Sequence, residues 1–178
     1  MKKQFLACML TLLLSALTAC PALAADMSGS GWSYTGTVLT ITGNISDYGL
    51  ASSRSDWFIG TPFERNGIDH TVTEMIVEEG VTSLGDLAFY GMGNLKKVTL
   101  PSTLKSIGSD TFMQCTALTE IRIPASVTFL GHGAFNNCSS LKKITFEGGA
   151  PSIGRWDAYY NFSNQSNFIF SGCTADVY

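Results

Sequence analysis

The chain repeats itself every 23 residues between positions 81 and 146, and this period constrains the fold more than any other feature. An aliphatic residue followed by glycine recurs at Leu84-Gly85, Ile107-Gly108 and Leu130-Gly131. Phenylalanine recurs at the same interval, at Phe89, Phe112 and Phe135. A unit of this size is too small to bury its own apolar side chains and does so only against its neighbours. The period therefore predicts a stacked solenoid.

The first half of each unit predicts a short strand. In the unit that begins near residue 95, Val98 and Leu100 would point inward, while Lys97 and Thr99 would point outward. Pro101 would end this strand, because proline cannot donate a hydrogen bond to a neighbouring strand. Stacked units place such strands side by side and parallel.

The second half of each unit predicts another extended piece, a bend and about one helical turn. Gly85 and Gly108 give the backbone freedom at the bend. Asp86 and Ser109 follow these glycines at positions that suit a helix cap. We therefore expect a β-rich solenoid of the α/β type, with short parallel strands and short helical turns.

Residues 31–43 predict a β-hairpin, with strands over 32–34 and 38–42 and a turn at Thr35-Gly36. The hairpin would cover the apolar end of the first coil, because an uncapped solenoid is insoluble. We expect an N-terminal capping region over residues 25–72 and the solenoid over residues 73–178.

The first 24 residues have the layout of a secretory signal peptide. Two lysines precede an apolar run over residues 5–17, and Ala22-Leu23-Ala24 provides a small-residue cleavage site. The alternative is a lipoprotein signal, in which Cys20 would carry the lipid. The apolar run is too short to span a membrane. We expect a secreted or cell-surface protein that does not insert into the membrane after the signal is removed.

The charge of the chain disfavours nucleic acid as a partner. Loss of Lys2 and Lys3 with the signal would change the net charge from −3 to −5. The remaining basic residues are scattered, whereas nucleic-acid binding requires a clustered basic surface.

Three cysteines follow the predicted signal, so they cannot all pair within one chain. Cys115 and Cys138 are one period apart and share the position of Met92, which predicts a row of buried side chains. Neighbouring coils would bring two such thiols within reach of a disulfide, but the motif requires none. We favour buried free thiols for this pair, and Cys173 is the third cysteine.

The unit resembles the BspA-type leucine-rich repeat, whose pattern is L-x-x-I-x-L-P-x-x-L-x-x-I-G-x-x-A-F-x-x-C. Residues 81–89 and 104–112 match this pattern closely. Residues 31–43 and 73–80 resemble the region that often precedes such repeats in secreted bacterial proteins. The resemblance extends over residues 31–178 and implies a secreted or surface-displayed bacterial protein used for adhesion or protein contact.

The last repeat is expanded. Ile153-Gly154 keeps the period, but the phenylalanine expected at position 158 appears as Phe170, so that 12 residues are inserted. The chain then ends at Val177-Tyr178 within a predicted strand, which indicates either a natural short form or the lack of a C-terminal cap. Aromatic side chains crowd the insertion: Trp156, Tyr159, Tyr160, Phe162 and Phe168. They predict either a contact patch for a glycan or protein or a lid over the last coil.

Two further features indicate surfaces. The outward positions of the first strand carry charges that alternate in sign, in the order Glu74, Lys97, Glu120 and Lys143. Strands about 4.8 Å apart would make these charges neighbours, so the row is either a ladder that fixes the register or, with Arg122 beside it, a partner-binding face. Phe129 replaces the serine of earlier units and either contacts a partner or packs against the insertion.

No motif for catalysis, a cofactor or a metal was found in the sequence. Cys138 with His132 is the one pair that suggests a nucleophile and a base, but the period puts Cys138 in the core and His132 at a surface corner. Zinc-protease, Walker and dinucleotide-binding motifs do not occur.

We therefore expect a non-catalytic binding or adhesion module that engages a protein or glycan on another cell or in the extracellular matrix. One alternative is a carbohydrate-active or other hydrolytic protein whose substrate platform is the aromatic insertion. A second alternative is a scaffold fragment of a larger surface protein.

Overall fold

The computed structural model describes residues 27–29, 31–45, 68–154, 168–174 and 176–177. These residues form twelve short strands and one short 3-10 helix. In chain order the elements are β1 (Met27–Gly29), β2 (Trp32–Thr35), β3 (Val38–Ile41), β4 (Glu74–Val77), β5 (Ser83–Leu84), β6 (Lys97–Thr99), β7 (Ser106–Ile107), β8 (Glu120–Ile123), β9 (Phe129–Leu130), β10 (Lys143–Phe146), β11 (Ser152–Ile153), η1 (Phe168–Phe170) and β12 (Asp176–Val177).

The first ladder of parallel strands is built from the strand that opens each coil. β4 pairs with β6, and β8 pairs with β10, in registers that place residues one period apart side by side. β10 also pairs in parallel with β12. β6 and β8 are neighbours but are not joined by strand hydrogen bonds. The predicted parallel stacking is thereby confirmed.

The second ladder is built from the short extended piece that follows in each coil. Its strands pair in parallel in the order β5-β7-β9-β11. Ser83, Ser106, Phe129 and Ser152 occupy equivalent positions in this ladder. Side chains from both ladders contribute to a single apolar core.

The predicted hairpin is confirmed as a cap on the first coil. β2 and β3 pair antiparallel, and β3 then pairs in parallel with β4, so the hairpin extends the first ladder. Trp32 and Leu39 are buried by this arrangement. The turn lies at Gly36-Thr37, one residue later than expected, because Thr35 still pairs with Val38. β1 adds a strand that the sequence did not indicate.

Asn44 closes the edge of the second ladder at the first coil. In the next coil, the backbone N–H groups of Lys105 and Ser106 donate to the carbonyl of Thr82, at 2.8 and 3.3 Å. In the first coil, the N–H groups of Thr82 and Ser83 instead donate to Asn44 Oδ1, at 2.8 and 3.2 Å. The Asn44 side chain thus replaces the carbonyl of a preceding coil.

Among the described residues, the predicted helical turn occurs only in the last coil, as η1, and is absent from the equivalent segments of the three preceding coils. The N–H groups of Leu87 and Phe89 donate to carbonyls of the next coil, at 2.9 Å each, instead of to a helix of their own. Asp86 is therefore not a helix cap, and its carboxylate accepts a hydrogen bond from the N–H of Ser109 in the next coil. These segments are successive tight turns.

Left-handed backbone conformations explain why these segments cannot be helical. Two positions in each coil have positive φ: Leu87, Asp110 and Gly133 share the first, and Gly91, Gln114 and Asn137 share the second. A residue in this conformation ends a right-handed helix, and side chains other than glycine adopt it at a cost. Leu87, with φ of 58°, is the bulkiest residue that occupies such a position.

A stack of phenylalanine rings forms the centre of the core. The ring centroids of Phe89 and Phe112, and of Phe112 and Phe135, lie 5.4 Å apart. Phe170 continues the stack on Phe135 at 5.8 Å. Phe170 therefore takes the place in the stack that the unbroken period assigned to position 158.

Several sequence predictions lie outside the described residues. They are the signal peptide over 1–24 with Cys20, most of the capping region over 25–72, and the insertion with Trp156, Tyr159, Tyr160 and Phe162. In the part of the chain that is described, we find no helix long and apolar enough to cross a membrane.

Candidate functional site

The first ladder presents an exposed row of alternating charge. Lys97 Nζ lies 2.7 Å from Glu74 Oε1, and the two residues are directly opposite each other in β6 and β4. The Lys97 side chain is 67% exposed and that of Glu74 is 32% exposed. An ion pair this open to solvent contributes little to folding stability, so most of its charge is available to a partner.

The row continues across the other coils. Glu120 and Lys143 face each other in β8 and β10, and Arg122 lies on the same outward side of β8; all three are exposed. The backbone of Asp176 in β12 pairs with that of Lys143 in the register. We call Glu74, Lys97, Glu120, Arg122 and Lys143 the charged face.

The 23-residue period does not predict the position of Asp176 in the last coil. Phe135 and Phe170 are 35 residues apart, but the paired Lys143 and Asp176 are only 33 apart. The insertion therefore does not shift all positions of the last coil by the same amount. A fixed offset cannot locate the last strand.

The second ladder carries a groove of about 440 Å³. Its floor is formed by small residues, which include Ser83, Ser106 and Gly108. Asn44 and Phe129 lie at its two ends, and the full lining is Asn44, Ile45, Ser83, Leu84, Gly85, Asp86, Ser106, Gly108 and Phe129. We call this feature the serine groove. The repeat pattern indicated Phe129 as an exception but could not indicate the groove, since Asn44 lies outside the repeats.

Phe129 stands out from the surface of the second ladder. It is 40% exposed, whereas Leu130, the other residue of β9, is buried. A methyl group added to Gly154 would come within 2.8 Å of the Phe129 ring, so the ring lies against this glycine. The predicted alternative, packing on the insertion, concerns residues outside the described ranges.

A corner beside the serine groove carries two carboxyl groups and a histidine. Burial raises the pKa of Asp110 to about 6, and the negative charge of Asp86 adds to the increase. Burial also lowers the pKa of His132. Asp86 is the one charged residue among those that line the serine groove.

The thiols of the core are free, as we favoured for Cys115 and Cys138. Cys138 donates a hydrogen bond to the carbonyl of Phe112 at 3.1 Å and is fully buried. Burial raises the pKa of Cys115 to about 12. The pKa of Cys138 is also raised, chiefly by its side-chain interaction with Cys173 and by burial. A buried thiol with a raised pKa is a poor nucleophile.

These properties argue against a catalytic pair of Cys138 and His132. Among the described residues, no group of three or more His, Cys, Asp or Glu side chains is arranged to hold a metal ion. The candidate contacts Lys97, Glu120, Arg122 and Lys143 share one face, and Phe129 lies on the other ladder.

A family model described as the BspA type leucine-rich repeat region matches residues 68–175, in six copies. The chain belongs to the BspA-type leucine-rich repeat family. This confirms the resemblance drawn from the repeat pattern. The strand ladders described above are the leucine-rich repeats of this family member. No curated protein is significantly similar to the chain.

The chain is similar to solved structures, one of which shares its fold with a TM-score above 0.5. A leucine-rich repeat protein from T. pallidum is 19% identical and superposes with a TM-score of 0.52, over 67% of this chain and 51% of the other. A leucine-rich cell surface protein from Faecalibacterium prausnitzii is 24% identical, with a TM-score of 0.48, over 85% of this chain and 42% of the other. The chain thus spans about half the length of the solved proteins that it resembles.

Proposed function

We propose that this protein is a non-catalytic binding module that is displayed outside the cell and engages a protein partner through the charged face. The observation that carries the proposal is the row of exposed, alternating charges on the first ladder. Its strands are held in register by the core, so the positions of the charges are set before a partner arrives. Preorganised charges lose less entropy on binding than mobile ones.

Alternation of sign favours a protein over a neutral glycan as the partner. A row that changes sign at each coil is complementary to a surface with the opposite order of charges, and a uniform polymer cannot match it. Arg122 adds a planar donor group beside Glu120 and Lys143, suited to a partner's carboxylate. Such complementarity contributes mainly to specificity and association rate.

Display outside the cell is supported by the predicted signal peptide over residues 1–24. It is supported also by membership of the BspA-type leucine-rich repeat family, because the resemblance to this family implied a secreted or surface-displayed protein. The alternative of a hydrolytic protein relied on the aromatic insertion around Trp156 and Tyr160, which is outside the described residues. Among the described residues, the one nucleophile and base that the sequence suggested, Cys138 with His132, has a buried thiol of raised pKa.

The test measures adhesion of beads coated with the protein to a panel of purified extracellular-matrix proteins. Reversal of two charges, Lys97→Glu with Lys143→Glu, is expected to reduce binding to the partner about tenfold or more, because the row of positions 74, 97, 120 and 143 would then be uniformly negative. The matched control is Lys96→Glu with Lys142→Glu. These lysines precede the others by one residue, are also exposed, and give the same change in net charge.

The two double variants must differ for the proposal to stand. Equal losses of adhesion would show that net charge alone attracts the partner, and unchanged adhesion in both would exclude the charged face. Thermal melts of both variants serve as the folding control, since exposed ion pairs contribute little to stability.

A further inference from the structure

The serine groove is a second outward feature, and it is separate from the charged face. Ile45 bridges Leu84, which pairs with Ile107, which in turn pairs with Leu130. Three strand spacings therefore separate the two ends of the groove, or about 14 Å between the backbones at Asn44-Ile45 and β9. This length and the volume of about 440 Å³ suit an extended small ligand.

The lining indicates what kind of ligand would bind. Ser83 and Ser106 provide hydroxyl groups, and Asp86 provides a carboxylate. No basic side chain lines the groove, so an acidic or phosphorylated ligand would meet only repulsion. Phe129 adds an exposed aromatic ring at one end.

A peptide strand is a poor candidate for this groove. Peptides that extend a sheet need a free strand edge with unpaired backbone groups. β7 pairs with β5 on one side and β9 on the other, and β9 pairs also with β11. β5 is bridged by Ile45 at its outer edge. The groove therefore offers the face of a paired sheet, and recognition must come from side chains.

Phe129 departs from the repeat at a position that lines the groove. The equivalent residue in the three other coils is serine: Ser83, Ser106 and Ser152. A serine at position 129 would leave an open trough, whereas the phenylalanine forms a wall. The ring rests against Gly154, where a side chain would collide with it, so its position is defined before a ligand binds.

We propose that the serine groove binds a short neutral oligosaccharide. One sugar ring packs its C–H face on the ring of Phe129, as apolar ring faces pack on aromatic side chains. Sugar hydroxyl groups donate to the carboxylate of Asp86 and exchange hydrogen bonds with Ser83 and Ser106. The combination of one aromatic surface with several small polar groups is the usual chemistry of a small-ligand site.

The experiment is an NMR and calorimetric titration of the purified protein with cellotetraose, maltotetraose, mannotetraose and N-acetylchitotetraose. At least one of them is expected to bind and to shift the amide signals of Ser83, Ser106 and Gly108. Phe129→Ser introduces the residue of the other coils, and Phe129→Leu keeps an apolar side chain without the ring. Each variant is expected to weaken oligosaccharide binding about tenfold.

Ile76→Ser is the matched control. Ile76 is 36% exposed on the first ladder, so the same kind of change is made outside the groove, and oligosaccharide affinity is expected to stay unchanged. Charge reversal at Lys97 and Lys143 is also expected to leave it unchanged, which separates this proposal from the charged face. Thermal melts establish that each variant is folded.

Three results would overturn the proposal. The first is that none of the four oligosaccharides binds at millimolar concentration. The second is that a bound oligosaccharide keeps its affinity in Phe129→Ser and Phe129→Leu. The third is that an oligolysine peptide binds the groove in place of the sugars and is released by 0.5 M salt, which would assign the site to cationic peptides recognised by Asp86.

Discussion

Replacement of Phe112 by alanine tests the central stack of the solenoid. Phe112 is fully buried, and its ring lies between two others, with both centroids at 5.4 Å. Loss of a buried phenylalanine costs about 3–5 kcal/mol from lost transfer energy and the cavity. Each aromatic contact adds about 0.5–1.5 kcal/mol, and Phe112 loses two, so we expect the upper end, about 4–5 kcal/mol. This is a large part of the stability of a small domain, about 5–15 kcal/mol.

Urea unfolding followed by circular dichroism measures the effect. Phe170→Ala is the comparison, because Phe170 is only partly buried and stacks on Phe135 at 5.8 Å at the end of the described stack. We expect Phe170→Ala to cost about half as much, since it leaves a smaller cavity and loses one contact. Equal losses from the two variants, or a loss below about 2 kcal/mol for Phe112→Ala, would refute the stacked register.

Two other predictions concern single side chains. Asn44→Ala is expected to lower stability by about 1 kcal/mol, because the N–H groups of Thr82 and Ser83 lose their acceptor, whereas Asn44→Asp keeps an acceptor oxygen and most of the stability. Equal denaturation midpoints for the two variants would contradict the capping role. Asp110 has a pKa raised from 3.8 to about 6, so the folded state loses stability as pH rises from about 4 to 6 and does not regain it above. Asp110→Asn is therefore expected to stabilise the protein at pH 7 by about 1 kcal/mol after allowance for solvent screening, and to have no such effect at pH 3.5. If Asp110→Asn changes the melting temperature equally at pH 7 and pH 3.5, ionisation of Asp110 is excluded as the cause.

The 12-residue insertion shows how far a strict period reaches. The repeat pattern predicted that Phe170 is the next phenylalanine of the row after Phe135. The stacking of the Phe170 ring on Phe135 confirms this prediction. The same reasoning placed the charges of β4, β6, β8 and β10 on one side, and the register agrees. Such features are predictable because each repeat stacks on the next in a single register, so sequence spacing becomes spatial order.

The turns were less predictable. Asp86 and Ser109 suggested helix caps, but the carboxylate of Asp86 hydrogen-bonds the next coil, and Leu87 adopts a left-handed conformation. Local propensity favours a helical turn in such a segment, and hydrogen bonds between coils override it. Propensity is a weak guide where tertiary contacts satisfy the same backbone groups.

The sequence by itself determined the solenoid, the row of phenylalanines, the capping hairpin and the alternating charges, because all of these follow from local patterns and one fixed spacing. Only the tertiary structure decided the serine groove and the backbone pairing of Asp176 with Lys143. The groove joins Asn44, which precedes the repeats, to Phe129, which departs from them. The geometry of the groove depends on how the segment around Asn44, which lies outside the period, packs against the repeats. The spacing of residues in the sequence does not specify that packing.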